Sequence, residues 1–240
     1  MQPRLAPLDG PATLFAHWGG AAHAPANTIE AFELALRLGA TGLESRAWLT
    51  SDSQIVLHHD GFVRRGLRRV PISRLERSDL PSEIPSLAEL YIACGRDVRL
   101  ALEVPEHPAI GPCLEVARVH GGVPRLWLCL AQVEDCASVR AESSVVGLIH
   151  TTRLAEIEST IERHFADLRT IGVNGLSLRY NDWTGGLVTM GHRFQRHCWG
   201  SDAQHERMIA SLIDMGVDAV SSDHVDRLVD VAAVFSSSTN

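Results

Sequence analysis

The sequence predicts an α/β fold, a single-domain (β/α)8 TIM barrel. Three observations predict it. Strand-like and helix-like stretches alternate nearly the whole way along the chain. Eight such pairs fit within 240 residues, close to the roughly 250 of a typical barrel. Several of the strands are short continuous apolar runs, as expected when both faces of a parallel sheet are covered. A doubly wound open sheet is the competing arrangement. No internal repeat or low-complexity linker marks a second domain in residues 1–240.

The elements follow in order. "TLFAH" (13–17) reads as the first strand. The helix "NTIEAFELALRLG" carries Ile29, Phe32 and Leu36 on one face, with Asn27 placed to cap it, Glu30 three residues on, and Gly39 to end it. In "LESRAWLTSDSQIVLHHD" (43–60), residues Leu43, Ser45, Ala47 and Leu49 alternate with Glu44, Arg46 and Trp48, the period of a strand. Ser51-Asp52-Ser53 marks a turn before a further extended segment. A short charged loop covers about 61–85. "SLAELYIACG" then opens with a capping box, Ser86 and Glu89. Strands are expected at 98–104, 125–130, 144–149, 173–178, 196–199 and 217–222. Helices are expected at 110–120, 133–141, 154–168, 187–192, 203–215 and 225–235, followed by a frayed tail, "SSSTN".

Composition narrows the function. The net charge of −7 argues against a nucleic-acid partner. No apolar run reaches the roughly 20 residues of a membrane span, and the N-terminal residues lack the apolar core of a signal peptide. The five cysteines are scattered, with no CxxC pair, and read as reduced thiols of a cytoplasmic protein.

In a barrel, chemistry sits at the C-terminal ends of the strands. That rule selects His17, Glu44 with Arg46, Glu103, Trp199 and Asp223. His17 and His59 at one mouth are placed to act as general acid and base. Glu44 and Glu103 end neighbouring strands and have the chemistry to hold Mg²⁺ or Ca²⁺; an ion pair with Arg46 is the other reading of the same residues. Trp18 and Gly19 follow His17, the glycine leaving room for a ligand to approach the backbone. Asn27 opens a helix whose N–H groups offer themselves to an anion. Asp223 is equally suited to capping the last helix. The arginines of "VRRGLRRV" (63–70) would attract phosphate or anionic lipid headgroups, or simply solvate a loop. His197-Cys198 lacks matching ligands nearby in sequence, which argues against zinc there.

The stretch "AHWGGAAHAPANTIEAFELALRLGATGLESRAWLTSDSQIVLHHD" resembles the N-terminal signature of the glycerophosphodiester phosphodiesterases: H-R-G, P-E-N-T, a helix ending G-A, E-x-D, then H-D. The likeness continues through "IPSLAEL" and "LALEV" and resumes at "CWGSD" and "MGVDAVSSDHVDRL". The resemblance implies the same barrel and metal-assisted hydrolysis of a small phosphodiester in lipid metabolism. His17 and His59 take the place of the acid and base, and Glu44 and Glu103 that of two metal ligands. The third ligand position holds Arg46. The family's arginine after the first histidine is Trp18, its P-E-N-T glutamate is Ala26, and a lysine beyond the third-strand glutamate is Pro105.

Arg46 is the severest of these departures. It deletes an oxygen ligand and places a fixed positive charge beside the metal position. Two unit charges at ~4 Å interact by roughly 4 kcal/mol at an effective dielectric of ~20. Three readings follow: a metal-dependent phosphodiesterase; a metal-free one in which Arg46 neutralises phosphate; and a catalytically inactive barrel that binds a phosphate-containing ligand or regulates. Arg46, Trp18, Gly19, Asn27 and Trp199 are the candidate substrate contacts.

Overall fold

The computed structural model describes residues 5–237. Eight parallel strands close on themselves: β1 (Thr13–His17), β2 (Gly42–Leu49), β6 (Arg99–Glu103), β7 (Leu126–Leu130), β8 (Gly147–Thr151), β9 (Gly175–Arg179), β10 (His197–Ser201) and β11 (Ala219–Ser222). β1 pairs with both β2 and β11, which completes the ring. The helices α1 (Ile29–Arg37), α2 (Leu87–Cys94), α3 (Ile110–Val119), α4 (Val133–Glu142), α5 (Ile161–Ile171), α6 (Gly185–Arg193), α7 (Glu206–Met215) and α8 (Val225–Ser237) connect them. The predicted (β/α)8 barrel is therefore the fold.

Burial follows from the double covering of the strands. β1, β6 and β8 each have three buried central residues flanked by half-buried ends. The main apolar cluster lies between the strands and the helices. A second fills the barrel interior with Phe15, Ala101, Cys129, Ile149, Trp199 and Ala219. Phe15 and Trp199 pack with ring centroids 4.8 Å apart there. The five cysteines are free thiols, and no helix among the described residues is long and apolar enough to cross a membrane.

Three local expectations are corrected. Thr28, not Asn27, caps α1, its hydroxyl accepting from the Ala31 N–H. Asn27 takes a left-handed φ of 59° instead. The segment expected to be helical over 154–168 begins as a 3-10 turn, Leu154–Glu156, and α5 starts only after Thr160 accepts from the Arg163 N–H. The apolar spacing of Leu154, Ile157, Ile161, Phe165 and Leu168 runs straight through that break, so periodicity alone does not reveal it. The strand expected at 144–149 is β8, Gly147–Thr151.

The charged loop is also more ordered than expected. β2 runs on past the barrel rim, where Ala47–Leu49 pair antiparallel with β3 (Ile55–Leu57). A separate hairpin follows, β4 (Phe62–Arg65) with β5 (Arg68–Pro71). It stands on a small core of its own, made by Val56, Val63, Ile72, Leu75, Leu80 and Ile84. The capping box at Ser86 and Glu89 forms as expected. α8 continues to Ser237, and residues 238–240 of the expected frayed tail lie outside the described residues.

Candidate active site

Parallel pairing brings the predicted residues to one end. Arg46 lies opposite Glu103 across β2 and β6, and His17 opposite Glu44 across β1 and β2. A cavity of about 320 Å³ opens at this mouth, lined by His17, Trp18, Glu44, Glu103 and Trp199 together with Cys129, Thr151, Ser177 and Ser221.

His17 Nδ1 is 2.8 Å from Asp223 Oδ1. Burial acts to lower the His17 pKa, but the Asp223 hydrogen bond and the charges of Glu44, Asp223 and Glu103 outweigh it and raise the imidazole above its ordinary 6.5. Asp223 therefore serves the mouth as the partner of His17. The sequence offered this position only as a strand-end acid or a helix cap; which of the two it is depends on the neighbouring strand β1.

Arg46 is bound to Glu103. Its Nε and Nη2 donate to the same oxygen, Oε2, at 2.9 and 2.7 Å, and its Nη1 donates to the His59 carbonyl at 3.1 Å. This takes three of the five guanidinium N–H groups and leaves two. Arg46 and His59 stand beside the cavity and are not among the residues that line it.

Trp18 explains the separation of the two histidines. Its ring lies 3.9 Å from that of His17, tilted by 30°, and 4.0 Å edge-on from that of His59. The indole thus sits between the groups that the sequence pairs as acid and base. His59 Nδ1 faces Asp60 Oδ1 at 3.0 Å.

The glycine and asparagine beside this loop serve packing. A Cβ on Gly19 would lie 2.9 Å from the Ala31 side chain, so the close approach expected of a ligand is made by α1 itself. Asn27 is buried and its Oδ1 accepts from the Ser45 hydroxyl at 2.6 Å, tying the loop to β2. Trp199 faces the cavity from mid-strand, and its carbonyl oxygen accepts from the Trp183 Nε1–H at 2.8 Å.

The cavity wall carries three buried polar atoms without a hydrogen-bond partner: Glu44 Oε2, Thr151 Oγ1 and Ser221 Oγ. Buried polar groups are nearly always paired, and each unpaired one costs about 1–3 kcal/mol. Gathered on one cavity, they call for a polar occupant. Sequence reading missed Thr151 and Ser221, whose only signal is their place at strand ends.

A divalent cation does not fit the carboxylates as they stand. Mg²⁺ and Ca²⁺ need about six oxygen ligands. Here one of the two carboxylates is engaged by a guanidinium, and the third ligand position is that guanidinium. The one orphaned oxygen of Glu44 calls for a single donor.

A different potential ligand group, His192, Cys198 and Asp218, lies at the opposite end of the barrel with ligand atoms within 4.8 Å of one another. Its carboxylate is already engaged. Asp218 Oδ2 accepts from the Cys198 N–H at 2.7 Å and faces His192 Nε2 at 2.9 Å, while Oδ1 accepts from the Leu8 N–H at 2.6 Å. Burial pushes the Cys198 thiol far up, away from the thiolate a metal requires.

Comparison with known proteins gives this arrangement its relatives. The family model described as "Glycerophosphoryl diester phosphodiesterase family" matches residues 17–100. YhdW of Bacillus subtilis is 31% identical over 124 residues, 45% of this chain and 51% of YhdW. Human "Lysophospholipase D GDPD1" is 36% identical over 94 residues, 36% of this chain and 29% of the human protein. The matched stretches thus span about half, or less, of these relatives' length. Among solved structures, the glycerophosphodiester phosphodiesterase of Thermotoga maritima superposes with a TM-score of 0.81 at 19% identity, covering 92% of this chain and 98% of that one. A phosphodiesterase of Oleispira antarctica, solved with the product sn-glycerol-3-phosphate, gives 0.81 at 19%, covering 92% and 96%. The first 84 residues from His17 thus resemble the glycerophosphodiester phosphodiesterases in sequence, and the whole barrel shares their fold.

Proposed function

We propose that this barrel hydrolyses glycerophosphodiester-type substrates without a divalent metal. The observation that carries the reading is the cavity in which the His17–Asp223 pair meets three orphaned polar atoms. Glu44, Thr151 and Ser221 suit the hydroxyls of a glycerol moiety, and the two free N–H groups of Arg46 suit a phosphate oxygen. In the family the metal neutralises that phosphate; here the guanidinium is the cation beside it. His17, whose pKa is raised by its carboxylate neighbours, donates a proton to the leaving oxygen as the P–O bond breaks. His59 accepts the proton of the attacking water as the new P–O bond forms. For both to act on one phosphate, the Trp18 ring must leave its place between them.

The five free thiols support a reducing compartment, the cytoplasm. The net charge argues against nucleic acid.

The test is release of sn-glycerol-3-phosphate from a glycerophosphodiester in the presence of excess chelator. Turnover should persist with chelator, fall about 10²–10⁴-fold in His17→Ala, and fall in Arg46→Ala. A strict requirement for Mg²⁺ or Ca²⁺ refutes the metal-free mechanism. The position of Trp18 favours a second reading, a barrel that binds the phosphodiester without cleaving it. Saturable binding with no turnover in any condition selects that reading.

A further inference from the structure

We propose that the β4–β5 hairpin is an anchor that seats the barrel mouth on an anionic lipid surface. The hairpin tip is Gly66-Leu67, and the Leu67 side chain is fully exposed. Four arginines surround it. Arg65 stands directly across from Arg68, and Arg64 directly across from Arg69.

Like charges placed opposite one another destabilise a strand pair, so folding gives no reason for this arrangement. Directly opposed residues share a face and successive residues alternate faces. Arg64 with Arg69 therefore covers one face of the ribbon, and Arg65 with Arg68 the other. Only part of this charge is answered within the protein. Arg65 pairs with Asp79 at 3.3 Å, and the Arg69 guanidinium lies 4.4 Å over the Phe62 ring. The result is a tip that is basic on both faces around one apolar residue, on a chain whose net charge is −7. That local reversal of sign is complementary to an anionic headgroup layer, and the leucine at its apex suits the acyl boundary just beneath.

The base of the hairpin is fixed. Val63 is buried with Ile72, Leu75, Leu80 and Ile84, and the Ile72 N–H donates to the Gly61 carbonyl at 2.9 Å. The segment grows from the extension of β2 and β3 beyond the barrel rim, the same end at which His17, Glu44 and Glu103 open. Contact through the tip therefore turns the site's end of the barrel towards the surface. The proposal stands whether or not the site hydrolyses its ligand.

The test is co-sedimentation of the whole protein with vesicles of phosphatidylcholine alone or mixed with phosphatidylglycerol. Binding should require phosphatidylglycerol and weaken with added salt. Each arginine near an anionic surface changes partitioning roughly fivefold, so Arg64→Ser with Arg68→Ser should weaken it about 25-fold. Leu67→Ser should weaken the salt-resistant part of the binding. These side chains are exposed, and an unchanged thermal midpoint confirms that the variants fold. Absence of binding to the mixed vesicles overturns the proposal, as does equal binding by the hairpin variants. Binding to a poly-uridine RNA that depends on the arginines but is indifferent to Leu67→Ser, with vesicles unbound, also overturns it and makes the hairpin a polyanion site.

Discussion

Two histidine–carboxylate pairs occupy opposite ends of the same barrel and do different work. At the mouth, His17 and Asp223 have side chains 22% and 29% exposed. At the base, His192 and Asp218 are 8% and 3% exposed. The base carboxylate accepts from the backbone of Leu8 and Cys198 as well, and so fastens the segment before β1 to β10 and β11. The mouth pair opens on a cavity with unpaired polar atoms around it. The comparison teaches that a histidine beside a carboxylate becomes a candidate for chemistry through the valence left over around it. A saturated, buried pair is part of the frame.

The largest effect that would break this contrast is at the base. Asp218→Ala leaves the buried Cys198 N–H, the half-buried Leu8 N–H and a buried imidazole without their acceptor, and should cost roughly 3–5 kcal/mol. Urea denaturation measures it; a loss below about 1 kcal/mol would show that the base pair is not structural.

A second test uses pH. His150, buried on β8, has its ring 3.1 Å from His164 Nε2, and burial followed by the neighbouring His164 lowers its pKa from 6.5 to about 4. Between these values the unfolded chain binds the proton and the folded one does not. The contribution is therefore fully present above pH 6.5 and is lost as pH falls to about 4, up to about 3 kcal/mol in all. His17 has the opposite sign: its raised pKa adds stability below pH 6.5 that is lost as pH rises through its folded value. Denaturation curves of the wild type and His150→Gln should converge as pH falls from 7 to 4.5. Parallel curves would remove His150 from the account.

The third prediction sharpens the reading of the mouth. Arg46→Asp restores a third carboxylate and removes the guanidinium from Glu103. Calorimetry should then detect Ca²⁺ or Mg²⁺ with a dissociation constant of about 10⁻³ M. At ~10 mM cation this corresponds to about 1.4 kcal/mol of added stability. If the variant takes up no metal, Arg46 is not what excludes it.

The smallest effect distinguishes the two ends most directly. Asp223→Ala should change stability by less than about 1 kcal/mol, because its pair is partly open to solvent. It should nevertheless lower the His17 pKa, measured by NMR titration of the imidazole. A large loss of stability with an unmoved titration would make the mouth pair a structural twin of the base pair.

Much of this was legible in the sequence. The alternation of Glu44, Arg46 and Trp48 against Leu43, Ser45 and Ala47 put the first three on one face of β2, and they are there. The capping box at Ser86 and Glu89 was readable because both of its partners are local. Other features were not local. The Asp223–His17 bond spans 206 residues of sequence and exists because β11 closes on β1. The break before α5 was masked by apolar residues that keep their spacing across it. The hairpin over 62–71 was hidden because its arginines read as solvated charge, while only Val63 and Val70 pattern it as strand.

The sequence by itself determined the barrel, the likeness to the glycerophosphodiester phosphodiesterases and the set of groups collected at its mouth, because period and motif order are properties of neighbouring residues. Only the tertiary structure decided how those groups are used. Glu103 belongs to Arg46, His17 belongs to Asp223, and Trp18 meets His59 edge-on, because each of those contacts joins separate strands or loops whose approach is set by closure of the sheet.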